Sequence, residues 1–407
     1  MYLNRVIRRV VLTLVPAMLF TACGGGGGST PTPSQPIAPN VVKLSVDAGP
    51  EGTGYNVNRL YTDVTVCDPG STSQCQTINH VLVDTGSTGL RLLSSAITSV
   101  IKRNRIENTP GLALLNCAQF VDNTFVWGPV VTADVVMGGK TAPSVPVQII
   151  ADPAFEHLAG ACSSGREMDS AAALGANGII GLGLFKDDCG PGCATVTGNG
   201  FYYTCADVSC RAAAPARASI AQQLKNPVAL FASDNNGVLI DLLAVNSSSV
   251  ARLSGSLIFG VATQSNNQLN SAAVLTTDSA GYVTTLLSGQ TLNTSFIDTG
   301  SNALYFDSAS IPRCAAPAIE FYCPPSLVNL AATIVGANGT SVPVSFSVEN
   351  ALTLFASFPN AVLPTLAGTI GDAKTFDWGL PFFYGRRVFI GIEGQPSAIG
   401  TGPYYAF

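Results

Sequence analysis

Charge is scarce in this sequence of 407 residues: Asp, Glu, Lys and Arg together make up 11%, and the formal net charge is -5. Beyond the N-terminus no stretch concentrates Lys or Arg, so the electrostatic footprint of a nucleic-acid binder is missing and no DNA or RNA partner is expected. Histidine is scarcer still, with only His80 and His157. A histidine triad or a zinc cluster therefore has almost no material, and no Cys-x-x-Cys pair stands near another such pair. No metal and no cofactor is expected. The apolar run at residues 10–20 is too short to span a membrane.

What the chain has in quantity is apolar and turn-forming residues. A 47% hydrophobic content over this length supplies a core for two or three domains. Gly 41 and Pro 25, with abundant Ser, Thr and Val, point to many short strands joined by turns, hence an all-β class with few short helices.

The start, MYLNRVIRRVVLTLVPAMLFTAC, places Arg5, Arg8 and Arg9 before the apolar run and small Ala22 before Cys23, which reads as a secretory signal. Its ending, Leu-Phe-Thr-Ala-Cys, resembles the lipobox of bacterial lipoproteins. That resemblance implies that residues 1–23 are a signal sequence and that Cys23 becomes the lipid-modified N-terminus, holding the protein at a membrane surface. It also implies a bacterial cell-envelope location on the periplasmic side, with Gly24 leaning toward the outer membrane. Residues 24–40, GGGGGSTPTPSQPIAPN, cannot pack a core and read as a tether.

Setting Cys23 aside leaves ten cysteines, an even count that implies disulfides in an exported chain. Cys67 with Cys75, and Cys314 with Cys323, would each close a short loop. Cys189, Cys193, Cys205 and Cys210 would pair among themselves, leaving Cys117 with Cys162.

The folded part starts near Val41. NRLYTDVTV and QTINHVLVD suggest a hairpin leading into Asp84, and ALLNCAQFVDNTFVWG with PVVTADVVMGGK suggests a second, followed by strands in SVPVQII and NGIIGLGL. Residues 185–217, with four cysteines and little periodicity, read as a stapled surface insertion. SIAQQLKN reads as a short helix capped by Ser219. A division into lobes 41–236 and 237–407 follows, because the second half repeats the order: strands SGSLIFGV, AVLTT and YVTTLLSG, then TSFIDTGSNALYF, a helix-like SLVNLAATIV, strands VPVSFSV and LTLFA, and DWGLPFFYGRRVFIGIEG.

The chemistry lies in a repeated stretch. VLVDTGSTGL at residues 81–90 returns as FIDTGSNALY at residues 296–305. In each copy a run of β-formers delivers an Asp, Thr-Gly makes a tight turn, and a serine follows. Gly86 and Gly300 permit a close backbone approach, Ser87 and Ser301 can donate to the neighbouring carboxylate, and Thr85 and Thr299 can hold the two turns together. Two carboxyls within hydrogen-bond reach share a proton, so one can serve as base while the other serves as acid. Such a pair can activate water against an amide carbonyl without metal, nucleophilic side chain or histidine.

On these motifs, on Ile179-Ile180-Gly181 in NGIIGLG, on PVVTADVVMGG after Trp127-Gly128, and on SGSLIFGV and GRRVFIGIEG, residues 41–407 resemble a pepsin-like aspartic peptidase. The resemblance implies a bilobal all-β fold, two β-barrel lobes about a central cleft, with Asp84 and Asp298 as the catalytic residues. Thr85, Gly86, Ser87, Thr299, Gly300 and Ser301 would be their support. It implies a peptide or protein substrate bound in extended form, and a monomer. The Gly-rich tether and the ending DWGLPFFYGRRVF also resemble a family of bacterial lipoproteins described only as uncharacterised.

The chain departs from the peptidase pattern at four places. The flap tyrosine is replaced by Val121, beside Phe120, and the tryptophan expected seven residues after the first Asp is Arg91. Flap contacts would then rest on Phe120, Val121, Phe125 or Trp127. The second hydrophobic-hydrophobic-Gly segment reads Phe376-Asp377-Trp378-Gly379, which suggests that Asp377 is a surface residue of a differently aligned strand. The stretch between Cys23 and the first strand is too short for the family's basic propeptide. The leading expectation is a lipid-anchored aspartic endopeptidase. The alternative is a catalytically silent pepsin-like lipoprotein that binds peptide or protein in the same cleft. A β-rich envelope protein with purely structural acidic turns ranks last.

Overall fold

The computed structural model describes residues 38–98, 101–155, 162 and 165–407. The signal sequence, Cys23, most of the tether and His157 lie outside these residues. Asn40, expected to end the tether, is buried and donates to the Phe259 carbonyl at 3.1 Å.

The first half runs through β1 (Val41–Val46), β2 (Leu60–Cys67), β3 (Cys75–Asp84) and β4 (Thr88–Leu93). It continues through β5 (Leu112–Gln119), β6 (Phe125–Met137), β7 (Lys140–Ile150), β8 (Gly178–Leu182) and β9 (Tyr202–Cys205). The two hairpins read from sequence are β2–β3 and β5–β6, and β6 turns back again into β7. β8 is buried along its whole length, as an apolar run packed on both faces must be.

The second half comprises β10 (Gly237–Leu242), β11 (Leu253–Phe259), β12 (Val283–Leu287), β13 (Gln290–Ile297) and β14 (Leu304–Phe306). β15 (Val328–Val335), β16 (Ser341–Val348), β17 (Ala367–Gly368), β18 (Phe376–Trp378) and β19 (Arg387–Gly391) follow, with shorter strands at Val274–Thr276 and Tyr404–Ala406 among the others. The chain is all-β; its α-helices among the described residues are short, at Ala171–Leu174, Pro191–Thr195 and Ala351–Phe355. β1 pairs with β11, and β10 with β11 and β19, so these strands join the first-half sheet across the expected boundary at residue 236. Strands β12 to β18 form a separate sheet of seven.

Three local expectations are corrected. SLVNLAATIV is strand β15 and not a helix: Ala332 and Ile334 point inward on a two-residue period, and the strand pairs with β12 and β16. LTLFA is helical and not a strand, because Asn350 caps it by accepting from the Leu352 and Thr353 amides. SIAQQLKN makes a turn, with Gln222 N and Gln223 N donating to the Ser219 carbonyl, and goes no further as a helix.

The five disulfides are Cys67–Cys75, Cys117–Cys162, Cys189–Cys193, Cys205–Cys210 and Cys314–Cys323. The Cys-rich segment 185–217 is more than a surface insertion. Its strand β9 adds to β5, and Cys193, Tyr202, Tyr203, Cys205 and Cys210 are buried.

Candidate functional site

The two acidic motifs stand on mirrored ladders. β3 pairs in parallel with β8, placing Gly181 opposite Asp84, and β4 returns antiparallel to β8 and parallel to β7. In the second half β13 pairs in parallel with β18, and β14 returns antiparallel to β18 and parallel to β17. Asp298 N donates to the Trp378 carbonyl at 3.1 Å, just past the last paired residues. The partner strands β8 and β18 are buried along their whole length, and a strand paired to such a neighbour is a stiff mount, so each Asp is delivered to a fixed place.

Those places adjoin. Gly86 N donates to Asp84 Oδ1 at 2.8 Å and also to Asp298 Oδ1 at 2.9 Å, while Gly300 N donates to Asp298 Oδ1 at 2.7 Å. Ser87 Oγ donates to Asp84 Oδ2 at 2.5 Å, and Ser301 Oγ to Asp298 Oδ2 at 2.9 Å. Both glycines are required by contact: a Cβ on Gly86 would stand 2.8 Å from Asp298 Cγ, and one on Gly300 would stand 2.7 Å from Asp84 Oδ1.

Below the carboxyls the threonines cross over. Thr85 N donates to Thr299 Oγ1 at 3.1 Å and Thr299 N to Thr85 Oγ1 at 3.0 Å. Their hydroxyls in turn donate to the Ile297 and Val83 carbonyls, at 3.2 and 2.7 Å. All four groups are buried, where a lost partner is costly.

Asp84 and Asp298 are 6% and 8% exposed. Burial first, then the charges of Asp84 and Asp377 and a hydrogen bond with Asp84, hold the Asp298 carboxyl well above the usual carboxylate range, against the Gly300 amide. The pair is therefore able to carry one proton between two carboxyls.

A third carboxyl belongs to the site. Asp377, expected on the surface, is 4% exposed on β18, opposite Phe296 and Tyr305. Burial pushes it up to about 8, with Asp84 adding to the rise and Ser301 opposing it. Its signal in the sequence was its place, two residues before a glycine in a segment otherwise matching Ile179-Ile180-Gly181.

Of the flap candidates, Val121 is 75% exposed at the tip of the β5–β6 turn and Phe120 is half-buried beside it. Phe125 and Trp127 are corrected: both are buried with Phe155, Tyr203 and the Cys117–Cys162 bridge, and Trp127 Nε1 donates to the Phe155 carbonyl at 2.8 Å. They offer no surface to a ligand.

Arg91 is 3% exposed and faces a polar cluster unforeseen in the sequence. Its guanidinium donates to the Thr88 carbonyl at 2.7 Å and meets Asp188 Oδ2 at 3.5 Å. Asp188 also accepts from Tyr202 Oη at 2.6 Å and from Asn116 Nδ2 at 3.2 Å. Burial pushes Asp188 up to about 6 despite these partners. The cluster bolts the Cys-rich segment to β4 and β5. A cavity of about 480 Å³ lies elsewhere, against Phe346, Trp378, Phe382 and Arg386, and neither Asp84 nor Asp298 lines it.

The model of the family "Protein of unknown function (DUF3443)" matches residues 36–407. The chain belongs to that family. No curated protein matches it in sequence. Among solved structures it is similar to basic 7S globulin from soybean, at 12% identity and a TM-score of 0.43, over 90% of this chain and 94% of that one.

Proposed function

We propose that this DUF3443 chain is an aspartic-type endopeptidase. The observation that carries the reading is the meeting of Asp84 and Asp298, each at the end of a strand paired in parallel with a fully buried one, each held by its own glycine amide and serine hydroxyl, with Gly86 N donating to both. In this reading a water bound between the carboxyls loses a proton to the ionised one as it attacks the peptide carbonyl. The protonated partner donates to the developing oxyanion, the proton taken from the water then passes to the nitrogen as the C–N bond breaks, and the carbonyl that re-forms returns its proton to the pair. The substrate is a peptide in extended form.

The test is hydrolysis of a mixed peptide library from acidic to neutral pH by the wild type, Asp84→Asn and Asp298→Asn. Cleavage lost in both variants supports the pair; cleavage surviving in either overturns it.

A second reading, a silent peptide-binding module, is favoured by one observation. Arg91, at the place where the peptidases carry the aromatic partner of their flap, is committed to Thr88 and Asp188. Peptide binding without turnover in the same library would select it.

We further propose that Cys23 bears lipid and holds the folded part at the periplasmic face of a bacterial envelope membrane, the outer one by its Gly24. Metabolic labelling with a fatty acid, lost in Cys23→Ala, tests the anchor, and fractionation of the envelope tests the membrane.

A further inference from the structure

Past each acidic turn the chain presents two consecutive carbonyls, and both are held. In the first half Gly183 N donates to the Ser87 carbonyl at 2.9 Å and Arg91 Nη1 to the Thr88 carbonyl at 2.7 Å. In the second half Leu380 N donates to the Ser301 carbonyl at 2.8 Å and Asn58 Nδ2 to the Asn302 carbonyl at 2.8 Å. Thr88 and Asn302 occupy the same place, each directly after the serine that supports its aspartate. One carbonyl of each pair is thus held by a backbone amide and the other by a buried side chain.

The two side chains come from different places. Arg91 stands on β4 beside Thr88, whereas Asn58 precedes β2 and lies 244 positions from Asn302. Asn58 is fully buried. Its Nδ2 donates also to the Leu363 carbonyl at 2.8 Å, and its Oδ1 accepts from Leu363 N at 2.7 Å and from Tyr384 Oη at 2.8 Å. Its own amide donates to the Ala361 carbonyl at 2.7 Å. Its backbone is left-handed, at φ 49°, a conformation that asparagine adopts more readily than most residues. An asparagine side chain with both hydrogens and both lone pairs engaged has a single orientation.

A peptide group is planar, so a held carbonyl fixes a whole plane. Holding the Ser301 and Asn302 carbonyls fixes two successive planes and, between them, the backbone angles of Asn302. Ser301 is then unable to swing, and its one hydroxyl hydrogen stays on Asp298 Oδ2 at 2.9 Å.

We propose that Asn58 is a positioning residue of the carboxyl pair, the counterpart of Arg91, which holds the Asn302 carbonyl and so keeps Ser301 on Asp298. It acts through Asn302 and Ser301 and not on the reacting atoms. The arrangement is one-sided: the first half holds its own motif through Arg91 and also reaches across to hold the second through Asn58.

For turnover the proposal rests on the peptidase reading, so its test has an arm that does not. Crystal structures are compared for the full-length wild type and Asn58→Gly, a change that removes the side chain and suits the left-handed backbone. Should that variant not fold, Asn58→Asp takes its place, because it keeps the acceptor for Leu363 and Tyr384 and removes the amide donors. Ser301 Oγ is expected to move out of hydrogen-bond reach of Asp298, while Ser87 keeps its contact with Asp84. A variant in which Ser301 still donates to Asp298 overturns the proposal whether or not peptides are cut.

The second arm is peptide hydrolysis. The Asn58 variant is expected to lower kcat about tenfold and to leave KM within about twofold. Added to Ser301→Ala it should lower kcat no further, and added to Ser87→Ala it should show its whole loss, because it acts through Ser301. A further loss in both backgrounds is the behaviour of a merely structural residue and also overturns the proposal. Tyr384→Phe leaves the Asn302 contact in place and is expected to retain kcat; a loss matching that of the Asn58 variant counts against the proposal in the same way. Absence of hydrolysis in the wild type, with Ser301 displaced in the variant, removes the peptidase reading and leaves Asn58 in its role.

Discussion

Thr85 and Thr299 exchange backbone donors, each amide giving its hydrogen to the other's Oγ1 at 3.1 and 3.0 Å, although the two residues lie 214 positions apart. The pair is buried, so no water replaces a lost partner. Thr→Val at either position keeps the shape but strands an amide and a carbonyl. Each substitution is expected to cost about 1–3 kcal/mol of stability, and the double variant less than the sum, because the two act on one network. Guanidinium denaturation of the two single variants and the double variant measures this. Additive losses would show that the threonines act independently.

Gly300 is fixed by the opposite carboxyl and by no demand for unusual backbone angles. A Cβ there would meet Asp84 Oδ1 at 2.7 Å and Asp298 Oδ1 at 3.1 Å. Gly300→Ala is expected to push the two carboxyls apart and remove at least about 100-fold of any peptide hydrolysis, since misplacement by roughly 1 Å has that effect. The thermal midpoint should move by only a few degrees. An alanine variant cleaving at the wild-type rate would mean that the close approach has no part in turnover.

Arg91 and Asp188 hold the Cys-rich segment against β4 from inside. Arg91→Met leaves the Asp188 carboxyl buried without its cation, a change expected to cost about 3–5 kcal/mol when the carboxyl is ionised. Burial pushes Asp188 up to about 6 even with Arg91 present, so the loss should be smaller at pH 4, where the carboxyl takes a proton. Adding Asp188→Asn is expected to restore part of the stability at pH 8. Chemical denaturation of the wild type and both variants at both pH values checks the sign and the rescue.

Much of the site was legible because its chemistry is local. VLVDTGSTGL and FIDTGSNALY each carry strand, turn and hydroxyl within ten residues, and NGIIGLG announces a doubly buried strand by its apolar run. Pairing partners were not legible where local propensity and tertiary contact conflict. SLVNLAATIV has leucines and alanines that suit a helix, yet it lies between β12 and β16, whose ladders fix it as a strand. LTLFA has β-formers, yet Asn350 in front of it satisfies two amides and starts a helix. Asp377 read as exposed because an unpaired acid is rarely buried, and only the ladder with Phe296 and Tyr305 places it beside the carboxyl pair. The Arg91 cluster draws on Asp188, 97 positions away, and on Tyr202 beyond it, and left no local pattern.

Stability should fall as pH rises, the reverse of the usual acid denaturation. Asp188 and Asp377 have ordinary values of 3.8 and are pushed up to about 6 and about 8, and Asp298 is raised as well. In each case the folded state binds the proton more tightly than the unfolded chain. The stabilising contribution is therefore complete below about pH 4 and is lost as pH climbs through the folded values. Across that window each such group removes up to about 1.4 kcal/mol per pH unit. Asp188 contributes between about pH 4 and 6, and Asp377 continues to about pH 8. Denaturation midpoints measured from pH 4 to 9 should decline, and Asp377→Asn should flatten the part between pH 6 and 8 and reduce, without removing, the decline between pH 4 and 6. A wild-type midpoint that is constant or rises over that upper range would mean that Asp377 is charged in the folded protein at neutral pH.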